Sequence, residues 1–384
     1  MTALRVENFF APCPAGLETA LAAELIELGA SEVKPGNAGV LFHGPFSLCY
    51  AINLHSRVAS RVLWRVAKHH YRSEEDVYRA AYAAPWPDCF SADLTIRVDL
   101  SAIRCPLKSL DFVTLRIKDA VCDKFRAIAG KRPSVATRDP GMRIHAFLTA
   151  DDVTLYLDTS GEPLFKRGAR VKTGEAPLRE NLAAGILRLS GWKPGVPVLD
   201  PMCGSGTFLI EAAQIALGIA PGAGRRFAFE RLSNFARDDW QRLREQSDGG
   251  QQDIKALPIY GSDLYGDALS DARANLAALG LDRAVHLKQA NALEISAPAP
   301  AGCIVTNPPY GVRSGEEAEL AKFYPQLGDV LKKKFSGWTA FIFTADLRLP
   351  KLIRLTASKR TPLFNGALEC RLLEYRIVAG SNRG

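Results

Sequence analysis

The sequence predicts an α/β protein in two parts: an α+β amino-terminal half and a carboxy-terminal half built on a mostly parallel, doubly wound sheet. Three observations carry this. Up to about residue 160, strands and amphipathic helices mix without strict alternation. From about residue 165, hydrophobic strand-like runs alternate regularly with helical stretches, as parallel strands joined by crossover helices require. The 384 residues also exceed what one hydrophobic core ordinarily serves.

The elements follow in order. A β-run at Val6–Phe10 leads into a helix with Leu17, Leu21, Leu25 and Leu28 at near-helical spacing, stopped by Gly29. Pro35-Gly36-Asn37 reads as the turn of a hairpin whose second strand is Val40–His43, and a further helix closes this unit of residues 1–60. A second unit, 45–160 with an overlapping boundary, has a strand at Leu94–Leu100 and a helix at Asp111–Ile128. That helix turns Val113, Ile117, Ala120, Val121 and Phe125 inward, and strands follow at Arg143–Phe147 and Val153–Leu157. The third unit, 165–384, alternates helix Arg179–Arg188, strand Val196–Asp200, helix Thr207–Leu217, strand Pro258–Asp263 and helix Gly266–Leu279. Strands Val285–Gln289, Cys303–Thr306 and Thr339–Thr344 continue it, and Asn365-Gly366 marks the turn of a last hairpin within Leu363–Val378.

Composition excludes several classes. No stretch approaches the roughly 18 apolar residues that span a bilayer. Glu7, Glu18 and Glu24 interrupt the first 30 residues, which lack a basic start, so a cleaved leader is not expected. Eight cysteines without a C-x-x-C pair, and six histidines outside zinc-ligand spacing, argue against a structural metal. Free thiols suit a reducing compartment, with cytoplasm the default. The net charge of +8 points to a polyanionic partner.

On a doubly wound sheet, ligands bind beyond the carboxyl ends of the strands. The first such loop is Asp200-Pro201-Met202-Cys203-Gly204-Ser205-Gly206-Thr207. A P-loop would need Lys and Ser/Thr after the last Gly, where Thr207-Phe208 stands. A nicotinamide fingerprint would need an acid about 20 residues on, and the candidate Asp263 is much farther away. S-adenosylmethionine remains, with Asp200 supporting its ammonium end; an ordinary strand–helix turn is the bland alternative. Asp263, followed by Leu264, can accept both ribose hydroxyls or simply cap the next helix, and alone the two readings stand level. Asn291-Ala292 follows the next strand and could meet the adenine amino group.

Asn307-Pro308-Pro309-Tyr310 follows the strand Cys303–Thr306 directly. Consecutive prolines fix φ and remove two donors, giving a stiff loop of carbonyl oxygens. The Asn307 side-chain oxygen and the Pro308 carbonyl can each accept one N–H of an NH2 group, aiming its lone pair at an electrophilic methyl. Tyr310 can stack on the planar group that carries the amine. A proline-rich turn is the alternative for Pro-Pro alone, and it loses force beside Asp200, Gly204, Gly206 and Asp263 on successive strand ends.

VLDPMCGSGTFLIEAA (198–213) with TNPPYG (306–311) resembles the class I, Rossmann-like methyltransferases directed at amino groups. LDTSGEPLFKRGAR (157–170), APLRENLAAGIL (176–187), LFNGALECRLLEY (363–375), GLETALAAEL and IKDAVCDKF narrow the resemblance. They resemble the RNA guanine-N2 methyltransferases that carry an amino-terminal ferredoxin-like unit and a THUMP domain, nearest the bacterial 23S rRNA enzymes. Some bacteria fuse that enzyme to a second methyltransferase, and this chain is expected to carry the first alone. The resemblance covers essentially the whole chain. It implies that Asp200 through Thr207, Asp263 and Leu264 bind S-adenosylmethionine, with Asn291 and Ala292 at the adenine. Pro177 and Leu178 would flank its methionine end, and Asn307 would touch both cofactor and target. Asn291 departs from the Asp often found there. The resemblance also recasts Lys108, Arg116, Lys118, Lys131, Arg132 and Arg138, otherwise a solvated basic face, as contacts to ribosomal RNA.

Guanine-N2 methylation of tRNA, of which THUMP-bearing relatives are capable, is the nearest alternative. Methylation of a glutamine amide in release factors or of adenine N6 in DNA would use the same Asn-Pro-Pro-Tyr, but those enzymes lack this amino-terminal half. A non-catalytic RNA-binding module has no use for the glycine turn and Asn-Pro-Pro-Tyr together.

Overall fold

The structure is a computed structural model that describes residues 5–167, 178–309 and 316–378. Pro177 and Tyr310 lie outside the described residues. The amino-terminal half runs β1 (Val6–Pro12), α1 (Glu18–Glu27), β2 (Ser31–Gly36), β3 (Gly39–Pro45), α2 (Leu48–His55), β4 (Leu63–His70), α3 (Glu74–Ala83) and α4 (Trp86–Cys89). It continues with β5 (Ile96–Ala102), α5 (Leu110–Ala129), β6 (Met142–Leu148) and β7 (Asp152–Asp158). Its seven strands form one sheet in the order β2-β3-β1-β4-β7-β6-β5. All neighbours are antiparallel except β5 and β6.

Strand β4 joins the two small units, since it pairs with β1 on one side and β7 on the other. The sequence does not advertise it, because a register shift between Arg65 and Ala67 breaks the period-two alternation. Helix α5 buries Val113, Ile117, Ala120, Val121 and Phe125, the five positions its periodicity selects.

The carboxy-terminal half runs α6 (Glu180–Leu189), β8 (Val198–Asp200), α7 (Thr207–Ala216), α8 (Arg237–Gly249), β9 (Ile259–Asp263), α9 (Gly266–Ala278) and β10 (His286–Gln289). Then come β11 (Gly302–Thr306), α10 (Glu316–Lys334), β12 (Trp338–Thr344), α11 (Leu349–Leu352), β13 (Lys359–Asn365) and β14 (Leu368–Arg376). The sheet order is β10-β9-β8-β11-β12-β14-β13. Strands β10 through β12 are parallel, and β14 lies antiparallel between β12 and β13. The chain winds one way from β8 to β10 and then returns to β11 on the other flank of β8. On sheets of this kind ligands bind beyond the strand ends at that reversal.

The halves are joined by buried polar contacts. Glu211 of α7 is fully buried and receives the guanidinium of Arg167, with Arg57 Nη1 at 3.6 Å. Arg167 Nη2 donates to the Arg57 carbonyl at 2.9 Å. Asn181 on α6 donates to the Val58 carbonyl at 3.2 Å and to Ser60 Oγ at 3.0 Å. Among the described residues no helix is long and apolar enough to cross a membrane, and no His, Cys, Asp and Glu cluster could hold a metal.

Candidate active site

Four neighbouring strand ends bring the predicted residues to one rim: β8 delivers Asp200, β9 Asp263, the turn after β10 Asn291, and β11 Asn307. Asp200 is 3% exposed. Its Oδ1 accepts from the Met202 N–H at 3.1 Å and from Thr306 Oγ1 at 2.7 Å. Burial still outweighs these bonds and pushes the carboxyl up to about 7, with Asp263 adding a smaller repulsion. A buried acid held this way can accept a cation.

The glycine turn is shaped by conformation. Gly204 has φ +52° and Gly206 φ +83°, the left-handed region that L side chains rarely adopt. A Cβ on Gly206 would also come within 3.3 Å of Ala272 Cβ. The Cys203 N–H donates to the Ser262 carbonyl and the Gly204 N–H to Asp263 Oδ2, both at 2.9 Å, so the turn is fastened to the end of β9. Pro201 and Thr207 are buried, while Met202 and Ser205 are half-buried.

Asp263 Oδ1 accepts from the Tyr265 N–H at 3.0 Å, and Tyr265, not Asp263, is the residue capping α9. The capping alternative therefore fails. A carboxylate has about four acceptor sites, so two remain for ribose hydroxyls. Leu264 and Tyr265 stand exposed beside it. Tyr265 was missed, although an aromatic directly after a strand-end acid was the available signal. Asn291 Oδ1 accepts from the Leu293 N–H at 3.0 Å, which commits one lone pair to the turn, and Ala292 is buried.

Asn307 is half-buried, Pro308 buried and Pro309 exposed. The Pro309 carbonyl accepts from the hydroxyl of buried Tyr324 on α10 at 3.2 Å. Thr306 and Tyr324 both escaped the sequence reading. Thr306 joins the acid of β8 to the residue before Asn307, so the two halves of the site share one hydrogen-bonded frame. Leu178 is buried just before α6.

The basic residues separate. Arg116 pairs with Glu75 at 2.5 Å and lies over the Tyr78 ring; Lys118 pairs with Asp119, and Lys131 with Asp93 at 2.5 Å. Lys108, Arg132 and Arg138 are exposed.

This strand order, with a glycine turn and acid after its first strand and a second acid after the next, defines an S-adenosylmethionine-dependent methyltransferase. Comparison with known proteins narrows the class. Residues 167–374 match the family model described as RMKL-like, methyltransferase domain. Residues 8–63 match the RlmL ferredoxin-like domain and 71–158 the THUMP domain. The chain belongs to this RMKL-like methyltransferase family. It is 42% identical over 381 residues to the ribosomal RNA large subunit methyltransferase K/L of Shewanella sp. (strain W3-18-1), covering 98% of this chain and 54% of that relative. The chain thus spans about half the length of such relatives. It is 40% identical over 370 residues to slr0064 of Synechocystis sp. (strain ATCC 27184 / PCC 6803 / Kazusa), 96% of each chain. The crystal structure of SMU.472 complexed with SAH, the demethylated cofactor, superposes with a TM-score of 0.88 at 31% identity, covering 97% of this chain and 98% of that one.

Proposed function

We propose that the protein transfers the methyl group of S-adenosylmethionine to the exocyclic N2 amine of a guanosine in large-subunit ribosomal RNA. The observation that carries this reading is the Thr306 hydroxyl on Asp200, which ties the cofactor acid to the Asn307-Pro308-Pro309 loop. The similarity to ribosomal RNA large subunit methyltransferase K/L over 98% of the chain supports the choice of RNA.

The residues present fit the cofactor. Asp200 is a buried acid awaiting a cation, and Asp263 keeps two acceptor sites. Gly204 has open space where a Cβ would stand. Asp200 through Thr207 would hold the methionine portion together with Leu178 and Pro177, Asp263 the ribose, and Leu264, Asn291 and Ala292 the adenine. When bound, S-adenosylmethionine supplies an electrophilic methyl group. Asn307 Oδ1 and the Pro308 carbonyl accept the two N–H bonds of the target amine. That draws its lone pair out of conjugation with the ring and aims it. Tyr310 stacks on the extruded guanine, and the proton leaves after transfer, so no strong base is needed. In the same proposal residues 1–60 and 45–160 engage RNA while 165–384 performs transfer, and the eight unpaired cysteines suit the cytoplasm.

Asn307→Ala should cost about 10²-fold or more in single-turnover rate, and cofactor affinity should fall far less. Nucleoside mass spectrometry of the treated rRNA should find N2-methylguanosine. Continued methylation of RNA with inosine at the target, which lacks the amine, would overturn the assignment.

A further inference from the structure

Arg116, Lys118 and Lys131 each close on a carboxylate, so each pair carries no net charge toward a distant phosphate. A different set of cations is not neutralised this way. Between the start of β6 and the segment that follows α7 lies a cleft of about 350 Å³, with Arg143, itself paired with Asp99, on one wall and the unneutralised Arg226 and Arg231 on the other. Arg226 is exposed and, among the described residues, has no carboxylate partner. Arg231 is exposed and donates to the Gly141 carbonyl at 3.0 Å. Arg225, beside them, donates to three carbonyls: Glu162 at 2.6 Å, Pro163 at 2.7 Å and Lys166 at 2.9 Å.

The carboxylates nearby are mostly committed. Glu230 accepts the Phe227 N–H at 2.7 Å, Glu162 pairs with Lys166 at 3.0 Å, and Asp99 serves both Arg97 and Arg143. Asp139 faces the cleft uncommitted among the described residues, and Glu230, held only by a backbone N–H, keeps its charge there. Among those residues Arg225, Arg226 and Arg231, none of them on a carboxylate, therefore stand against two acids that no cation answers, Asp139 and Glu230. They lie where the two halves of the chain meet.

Resting on the RNA methyltransferase reading above, we propose that this cleft seats the phosphate backbone of the RNA substrate. Guanidinium groups bound only to carbonyls keep their full charge, and their planar forks match phosphate oxygens. The three bonds of Arg225 staple residues 162–166 to the segment after α7. An RNA strand in the cleft is thereby held at a fixed distance from the catalytic crevice.

The test compares RNA affinity across a series of salt concentrations for wild type, Arg226→Gln/Arg231→Gln, and Lys131→Gln/Asp93→Asn, using a 23S rRNA fragment. Losing two phosphate contacts should make the slope of log affinity against log salt shallower by about two, with about tenfold or more lost affinity. Removing the Lys131–Asp93 pair should leave the slope nearly unchanged. Arg226→Gln alone touches no described hydrogen bond and should lose about one unit of slope, which guards against misfolding of the double variant. Cofactor binding should be the same in all. If wild type methylates the rRNA while both cleft variants keep its affinity and slope, the cleft is overturned and the function stands. If wild type neither binds nor methylates the rRNA, the reading beneath the proposal fails with it.

Discussion

In the proposed cofactor site, Asp200 shows what burying an acid costs before any ligand arrives. Its carboxyl titrates near 7 because burial dominates, while an unfolded chain leaves it near 3.8. Between those values the folded protein holds a proton that the unfolded chain has lost, so stability falls as pH rises through that window. The slope from this one group is at most about 1.4 kcal/mol per pH unit. Asp200→Asn removes the buried charge and retains an oxygen for Thr306 and Met202. At pH 8 the ligand-free variant should therefore be more stable than wild type, by on the order of 1–4 kcal/mol or a few degrees in Tm. Below pH 4 the difference should vanish. The same variant should bind S-adenosylmethionine about tenfold or more weakly, having lost a charge-assisted contact. Wild-type affinity should also decline as pH falls below 7. Thermal scans and titration calorimetry across this pH range check both halves; a variant no more stable at pH 8 would mean the carboxylate is not strained by burial.

At the scale of elements, the loop after β11 is held from two sides: by Thr306 on Asp200, and by Tyr324 of α10 on the Pro309 carbonyl. Tyr324→Phe removes the second support. Water can replace a hydroxyl at the exposed Pro309, so about 0.5–1.5 kcal/mol of positioning should be lost. The expected signature is a lower kcat with cofactor affinity and Tm nearly unchanged; an unaltered kcat would show that the prolines alone stiffen the loop. The strand-end residues were legible because acids, glycines and prolines at those points are read from local sequence. The supports were not. Thr306 meets Asp200 only because β11 lies beside β8, an adjacency of strands 106 positions apart along the chain that no periodicity encodes. Tyr324 sits on a helix interrupted by Pro325, which masks its pattern. Helix α8 buries only Trp240 of its 13 residues and so offers no apolar stripe to find. The pairing of Arg116 with Glu75 was equally hidden, since it depends on α3, which went unread beside the bulged β4.

Across the whole molecule, the two halves meet through charge as well as through apolar packing. Glu211 lies one turn along α7 from the glycine loop and answers Arg57 and Arg167, while Arg57, held down to about 10 by burial, leans on Glu211 for its charge. Glu24 of α1 fixes the same corner by accepting from Ser56 Oγ at 2.6 Å and the Arg57 N–H at 2.8 Å. This network should make the halves unfold together, giving one calorimetric transition whose van't Hoff and calorimetric enthalpies agree. Glu211→Gln keeps the shape but leaves two buried guanidinium groups without their shared counter-charge, at a cost of about 3–5 kcal/mol. The single transition should then fall in temperature and separate into two. A cofactor that binds only the folded state raises whatever unit is coupled to its site. S-adenosylmethionine should therefore lift the whole transition in wild type, but only the carboxy-terminal one in Glu211→Gln. Scanning calorimetry with and without the cofactor reads both effects. A variant that still melts once, at the wild-type temperature, would show that the remaining contacts between the halves, apolar packing, Asn181 and Arg231 among them, are enough to couple them.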